Sequence, residues 1–313
     1  MPTVALTRGS RSYDAVRAAL ELVRQDVKLP SDRPILVKPN LVQNDFELCA
    51  TPVEAVRATL DFLQSLGASR FIIGEATAGP AGDTMIGFKN YGYLPLADKY
   101  DVQFKNLNDD DHLVFEALDQ DLKPVKIRLS KTFFQSYVVS VARMKTHSQV
   151  IATLSIKNIA ISAIHNPDRH SWAWHPHQPG VFSHEPGPLN LYLTRLYQTI
   201  RPGLAVVDGV IGMEHNGPVA GTPIASGIAL ASANALALDM VGAGLMGFDW
   251  RTLGYLWYLS RLEGLDRYDI KVIGEDPTTC VTRYLPHDNM PWMLGWWVNN
   301  WREYIRETYL VKE

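Results

Sequence analysis

Cysteine is nearly absent from these 313 residues; the two present, Cys49 and Cys280, lie far apart. Two thiols in no metal-ligand spacing exclude a cysteine-built zinc or iron–sulfur site and argue against a disulfide framework. No charge of one sign dominates either. A formal net charge of −3 gives no reason to expect nucleic acid or an anionic membrane as partner. No apolar run approaches the length that spans a bilayer, and MPTVALTRGSRSYD at the start has no apolar core of the signal-peptide kind. The expectation is a soluble, cytoplasmic protein. Internal repeats and low-complexity linkers are also missing. What is present, 46% hydrophobic and 20% charged residues, suits a globular chain with a sizeable core.

Helical spacing of Val16, Ala19, Leu20, Leu22 and Val23 predicts a helix over 13–26. Pro34-Ile35-Leu36-Val37 reads as a buried strand ending in Lys38-Pro39-Asn40. Thr51-Pro52-Val53-Glu54 reads as a helix start, with Thr51 as cap and Glu54 closing a capping box, and Gly67 as the stop. Phe71-Ile72-Ile73 is the next strand, ending in Gly74-Glu75. This β-α-β unit calls for parallel strands and a right-handed crossover. Short helices over 84–100, a hairpin of 113–117 with 124–129, and a helix over 189–200 follow. Further strands are expected at Leu204–Val207, Gly227–Ala231 and Ile270–Gly274, with a helix capped by Asn234 running to about Leu245. The fold class is α/β, a mainly parallel sheet with helices on both faces. Residues 1–285 form one domain or two lobes, and 286–313 an aromatic-rich tail.

The chemistry gathers at strand exits. The run Val138–Val141 empties into Arg143, Lys145, Thr146 and His147, and Lys157 with Asn158 follow after one amphipathic segment. Open α/β sheets bind ligands beyond the carboxyl ends of their strands. Four apolar strands here end in KPN, GE, ARMKTH and DG, so their polar tails should converge on one edge.

These tails, in this order, resemble the family catalogued as domain of unknown function 362. The resemblance rests on VKPNLV (37–42), TPVEAV (51–56), ARMKTH (142–147), LSIKN (154–158), VVDGVIGMEHNGP (206–218) and ALALDMVGA (235–243), and it covers roughly residues 33–275. It implies a fold and a site without naming a reaction. Many members carry a ferredoxin-like segment with two four-cysteine clusters. This chain has no such segment, so no iron–sulfur cluster is expected. A looser likeness, at fold level, is to the lactate racemase group.

Within the site, Lys38 either binds an anionic ligand that Asn40 orients, or pairs with Glu75. Lys145 and Lys157 suit anionic oxygens, and crowding would lower their pKa values. His147 is the acid–base candidate, because its ordinary pKa lies near neutrality. Arg143, Thr146 and Asn158 complete the anion contacts. Asp208 and Glu214 flank the start of a glycine-rich stretch, Gly209 to Gly221, that permits close backbone approach to a ligand. With Glu75 they could hold a divalent metal through oxygen atoms or supply the lysines with counter-charge, and the need for counter-charge favours the second. Asp239 reads as a cap or brace.

Five histidines (165, 170, 175, 177 and 184) fall in twenty positions, in no standard metal spacing; His165 is the metal candidate. Residues 165–188, rich in His, Pro and Trp, read as a lid. Four tryptophans in 291–304 mark either a surface for a protein partner or second copy, or a segment packed back on its own domain. The leading expectation is an enzyme acting on a small carboxylate or phosphate by acid–base chemistry. The others are a binding protein without turnover and an accessory protein docking through the tryptophan-rich segment.

Overall fold

The computed structural model describes residues 1–77, 84–165, 182–306 and 308–312. In chain order its first elements are β1 (Thr3–Arg8), α1 (Ser12–Leu22), β2 (Ile35–Lys38), α2 (Val53–Ser65), β3 (Arg70–Glu75), α3 (Thr84–Asn90) and β4 (Asp101–Asn106). A hairpin of β5 (His112–Leu118) and β6 (Pro124–Ser130) and the short α4 (Thr132–Gln135) follow. Next come β7 (Tyr137–His147), β8 (Ile151–Thr153), α5 (Ser155–Ser162) and α6 (Pro186–Thr199). Then come β9 (Leu204–Glu214), β10 (Thr222–Ile224), β11 (Ile228–Ser232), α7 (Ala235–Leu245), α8 (Gly254–Glu263), β12 (Lys271–Gly274) and β13 (Leu310–Val311).

The main sheet runs β12-β1-β11-β9-β7-β2-β3-β4, with β8 and β10 added to the far ends of β7 and β9. Along that path only β11 is antiparallel to its neighbours. Parallel strands need helical crossovers, which cover both faces and leave each central strand buried twice over. Strand β9 displays this: Leu204 and Val206 pack with α1 and α2, whereas Ala205 and Val207 pack with α5, α6, α7 and α8. An uninterrupted apolar run is therefore the correct sequence signature for these strands.

Several local expectations change. Strand β7 does not stop at Val141 but continues through His147, fully buried, because β8 pairs with its last three residues and β9 runs along its other side. The basic stretch is thus strand rather than loop. Thr51 does not cap α2. Its hydroxyl accepts from the Asn40 N–H (2.9 Å) and donates to the Val141 carbonyl (2.8 Å), tying the β2 exit to β7. Asn234 does cap α7, accepting from the Ala237 N–H at 2.8 Å. Strands β1, β4, β8, β10 and β13 are additions to the sequence reading.

The tryptophan-rich segment folds back on its own chain. Trp296 and Trp301 are buried with Leu118, Leu191, Tyr258 and Val298, while Trp292 and Trp297 stay 43% and 52% exposed. Strand β13 then pairs with β5. Among the described residues, no helix is long and apolar enough to cross a membrane. Most of the lid expected over 165–188, with Trp172 and Trp174, lies outside the described residues.

Candidate functional site

The exits of β2 and β3 lock onto each other. The fully buried Lys38 ammonium donates to Glu75 Oε2 (2.8 Å), to Asn158 Oδ1 (2.8 Å) and to the Pro39 carbonyl (2.7 Å). Glu75 also accepts from the backbone N–H groups of Leu41 and Ala76, both at 2.8 Å. Asn158 returns two bonds from its amide, to the Lys38 carbonyl (3.1 Å) and Ser140 Oγ (3.0 Å). Three donors on Lys38 meet three acceptors, so this charge is fully engaged. Of the two uses expected for Lys38, the pairing with Glu75 is the one present, and Asn158 completes it. The trio fixes the start of α5 against two strands.

Lys145 and Lys157 are placed differently. Lys145, fully buried, donates to Asn40 Oδ1 and to the Cys49 carbonyl, both neutral acceptors. Lys157 lies in the first turn of α5 and is only 5% exposed. Its side chain has no hydrogen bond or ion pair among the described residues. Burial is the main force acting on both amines, and it pushes each down to about 7. For Lys145 the Arg143 and Lys38 charges add to it, and for Lys157 those of Lys145 and Lys38 do. Burial disfavours the charged form of an amine, and neighbouring cations act in the same direction.

His147 shares this environment. Its Nδ1 accepts from the Gln149 N–H at 3.0 Å, which leaves the proton of the neutral ring on Nε2. Burial first, then Lys157 and Lys145, hold its pKa well below the ordinary histidine value. The titration near neutrality expected of His147 falls to the two lysines instead, and His147 becomes a neutral Nε2–H donor. His184 belongs to the same group: buried beside Phe182 (ring centroids 5.0 Å apart), it is lowered to about 4 by burial and by Lys157. Sequence reasoning counted His184 among five clustered histidines but singled out His165. The only distinguishing signal of His184 was its place at the end of the histidine-rich stretch, next to α6.

A second polar pair lies one step along the sheet. Arg143 on β7 and Asp208 on β9 are register partners, and both are buried. Burial lowers the Arg143 pKa and raises that of Asp208. Arg143 reaches the Leu48 carbonyl only at 3.4 Å, and among the described residues its Nε and Asp208 Oδ2 lack partners.

Other expected contacts serve the fold. Thr146 Oγ1 donates to the His215 carbonyl (2.9 Å), and Glu214 accepts from the Leu285 N–H (2.8 Å), so both fasten the tail of β9. The glycine-rich stretch admits the protein's own chain: a Cβ at Gly212 would overlap Tyr284, and one at Gly217 would overlap Thr146. Asp239, fully buried, caps α5 by accepting from the N–H groups of Ser155 (2.8 Å) and Ile156 (2.9 Å). Burial holds its carboxyl up at about 7. His165 stacks on His112 at 5.0 Å, and the charges that perturb it come from His112, Arg128, Asp110 and Asp109, none of them from the lysine group. Among the described residues, no cluster of three or more His, Cys, Asp or Glu side chains is arranged to hold an ion.

Comparison with known proteins places this site in context. A family model described as "Domain of unknown function (DUF362)" matches residues 35–244, a span that contains Lys38, Lys145, His147, Lys157 and His184. A thylakoid-associated protein of Synechocystis sp. is 29% identical over 227 residues, covering 72% of this chain and 66% of that protein. Among solved structures, the lactate racemase apoprotein of Thermoanaerobacterium thermosaccharolyticum aligns with 77% of this chain and 57% of its own, at 12% identity and a TM-score of 0.48. A Thermotoga maritima protein aligns with 67% of this chain and 53% of its own, at 12% identity and a TM-score of 0.37. The chain thus spans just under two thirds of the curated relative and little more than half of each structural one.

Proposed function

From the premise that this chain belongs to the family described as a domain of unknown function (DUF362), whose description states no reaction, we propose a function argued from the site alone. The protein is an enzyme that acts on a small anion, a carboxylate or phosphate, by acid–base chemistry at the carboxyl-terminal edge of its sheet. One observation carries this reading: two buried lysines, Lys145 and Lys157, have no carboxylate partner among the described residues. Uncompensated buried cations are costly, and a bound anion supplies the missing counter-charge. The same burial brings both amines to where they exchange protons near pH 7, as a general base or acid requires.

In this reading Lys145, aimed by Asn40 and the Cys49 carbonyl, donates its remaining proton to the anion. His147 contributes Nε2–H to an oxygen that gains charge, while Lys157 takes and returns a proton. Lys38, Glu75 and Asn158 hold the frame. Arg143 and Asp208, each with one atom unpartnered among the described residues, extend the site toward a polar group of the ligand. The proposal places the protein in the cytoplasm, and the match to a thylakoid-associated protein makes cell fractionation the direct check of that placement.

The deciding experiment is a thermal-shift screen of small carboxylates and phosphates, since a ligand that binds only the folded state raises Tm. A hit is expected to vanish in Lys145→Met. An effective ligand that shifts Lys145→Met as much as wild type refutes the site. Turnover of that ligand, abolished in His147→Ala while binding persists, separates an enzyme from a binding protein.

A further inference from the structure

The two lysines are not equivalent, and the difference assigns them separate tasks. Lys145 already donates to two acceptors, and hydrogen bonds of that kind favour the ammonium form. Lys157 has no acceptor among the described residues, is almost entirely buried, and sits within electrostatic reach of Lys145 and Lys38. The histidines that feel its charge, His147 and His184, are neutral at pH 7. Among the described residues no carboxylate acts on it. An almost fully buried amine beside other cations, with no acceptor among the described residues, is the arrangement that converts lysine into a nucleophile.

We propose that Lys157 condenses with the carbonyl group of a small anionic substrate, a 2-oxo acid, to form a Schiff base, while Lys145 binds the carboxylate. This deepens the small-anion reading and rests on it. The lone pair of Lys157 Nζ forms the C–N bond, and one of its two protons passes to the carbonyl oxygen. A second proton, from solvent, lets that oxygen depart as water when the C–O bond breaks, leaving a protonated imine. His147, with its proton fixed on Nε2, hydrogen-bonds the oxygen while it carries charge. No oxidant or co-reactant is required.

The test uses glyoxylate, the smallest 2-oxo acid, with cyanoborohydride on the full-length protein at pH 7, followed by peptide mass mapping. At that pH an amine titrating near neutrality has a free fraction roughly a thousandfold above that of an ordinary lysine. Even with restricted access, Lys157 is expected to be labelled at least about tenfold faster than any exposed lysine. Lys157→Arg should remove that adduct, and oxalate should suppress it. Acetaldehyde, a carbonyl without charge, should label Lys157 poorly, and Lys145→Met should erase the preference for glyoxylate over acetaldehyde. Labelling spread over exposed lysines, with Lys157 no faster than they are, overturns the proposal. Calorimetry with oxalate and inorganic phosphate then separates the two levels. Binding that needs Lys145 leaves the anion site standing without a nucleophile; no binding of either probe removes both.

Discussion

Replacing Lys157 by methionine should make the protein more stable, by an amount that depends on pH in a defined way. The folded chain holds this amine at about 7, whereas a lysine in an unfolded chain titrates at about 10.4. Between those values the unfolded state binds more protons than the folded state. Stability contributed by this residue therefore rises with pH, and the penalty is largest at and below pH 7. At pH 8 it amounts to about 3 kcal/mol, and it shrinks by about 1.4 kcal/mol for each further pH unit. Methionine approximates the volume of the stem and carries no proton, so Lys157→Met removes the penalty at a packing cost of about 1 kcal/mol. The variant should exceed wild type by about 2 kcal/mol at pH 8, with the advantage closing by pH 9 to 10. Urea unfolding at pH 7, 8 and 9, extrapolated to water, measures this directly. A difference that stays flat with pH, or a variant weaker than wild type at pH 7, refutes the reasoning about Lys157. A stabilising change at the residue assigned the chemistry is the trade-off a functional site imposes.

Three further outcomes follow from the geometry. Affinity for an oxalate or phosphate probe should fall about tenfold per pH unit above roughly pH 8 for each lysine that must be protonated to bind. Calorimetry in two buffers of different ionisation enthalpy should register proton uptake at pH 8. Glu75→Gln should destabilise the protein by about 3–5 kcal/mol in urea titrations, because it leaves the buried Lys38 charge without its counter-ion. Trp301→Ala should cost about 3–5 kcal/mol, and Trp297→Ala, at an exposed position, less than about 1 kcal/mol, if the tail is part of the core rather than a docking surface.

Much of the architecture is readable from apolar runs and turns. The β5/β6 hairpin and strands β2, β3, β11 and β12 fall where the residues place them, and Asn234 caps α7 as expected. The convergence of KPN, GE and ARMKTH on one edge is also visible in the residues. What stayed hidden depends on partners distant in sequence. The sequence Arg143 to His147 looks like a loop because it is polar, and only the pairing of β8 and β9 makes it strand. Thr51 carries the local signature of a helix cap, yet its hydroxyl goes to β7, ninety residues on. The separation of engaged Lys38 from unpartnered Lys157 needs the positions of Glu75 and Asn158 in space. For the same reason nearness in sequence to Lys157 pointed to His165 among the histidines, whereas burial and charge point to His184.

The placement of β1 has a consequence for synthesis. Its residues pair with Ile228–Ala231 of β11 on one side and with Lys271–Gly274 of β12 on the other. This strand therefore waits for partners some 220 to 270 positions later, a delay of roughly 10–50 s at ordinary ribosomal speeds. Until then Val4 and Leu6, buried in the finished fold, remain open to other contacts. The flank of β11 that β1 will cover is likewise a free edge once it emerges, able to pair with another chain. The span matched by the family model, 35–244, contains neither β1 nor β12. Expressed alone it would present that edge permanently, so fragments cut to the matched span should aggregate where the full chain does not.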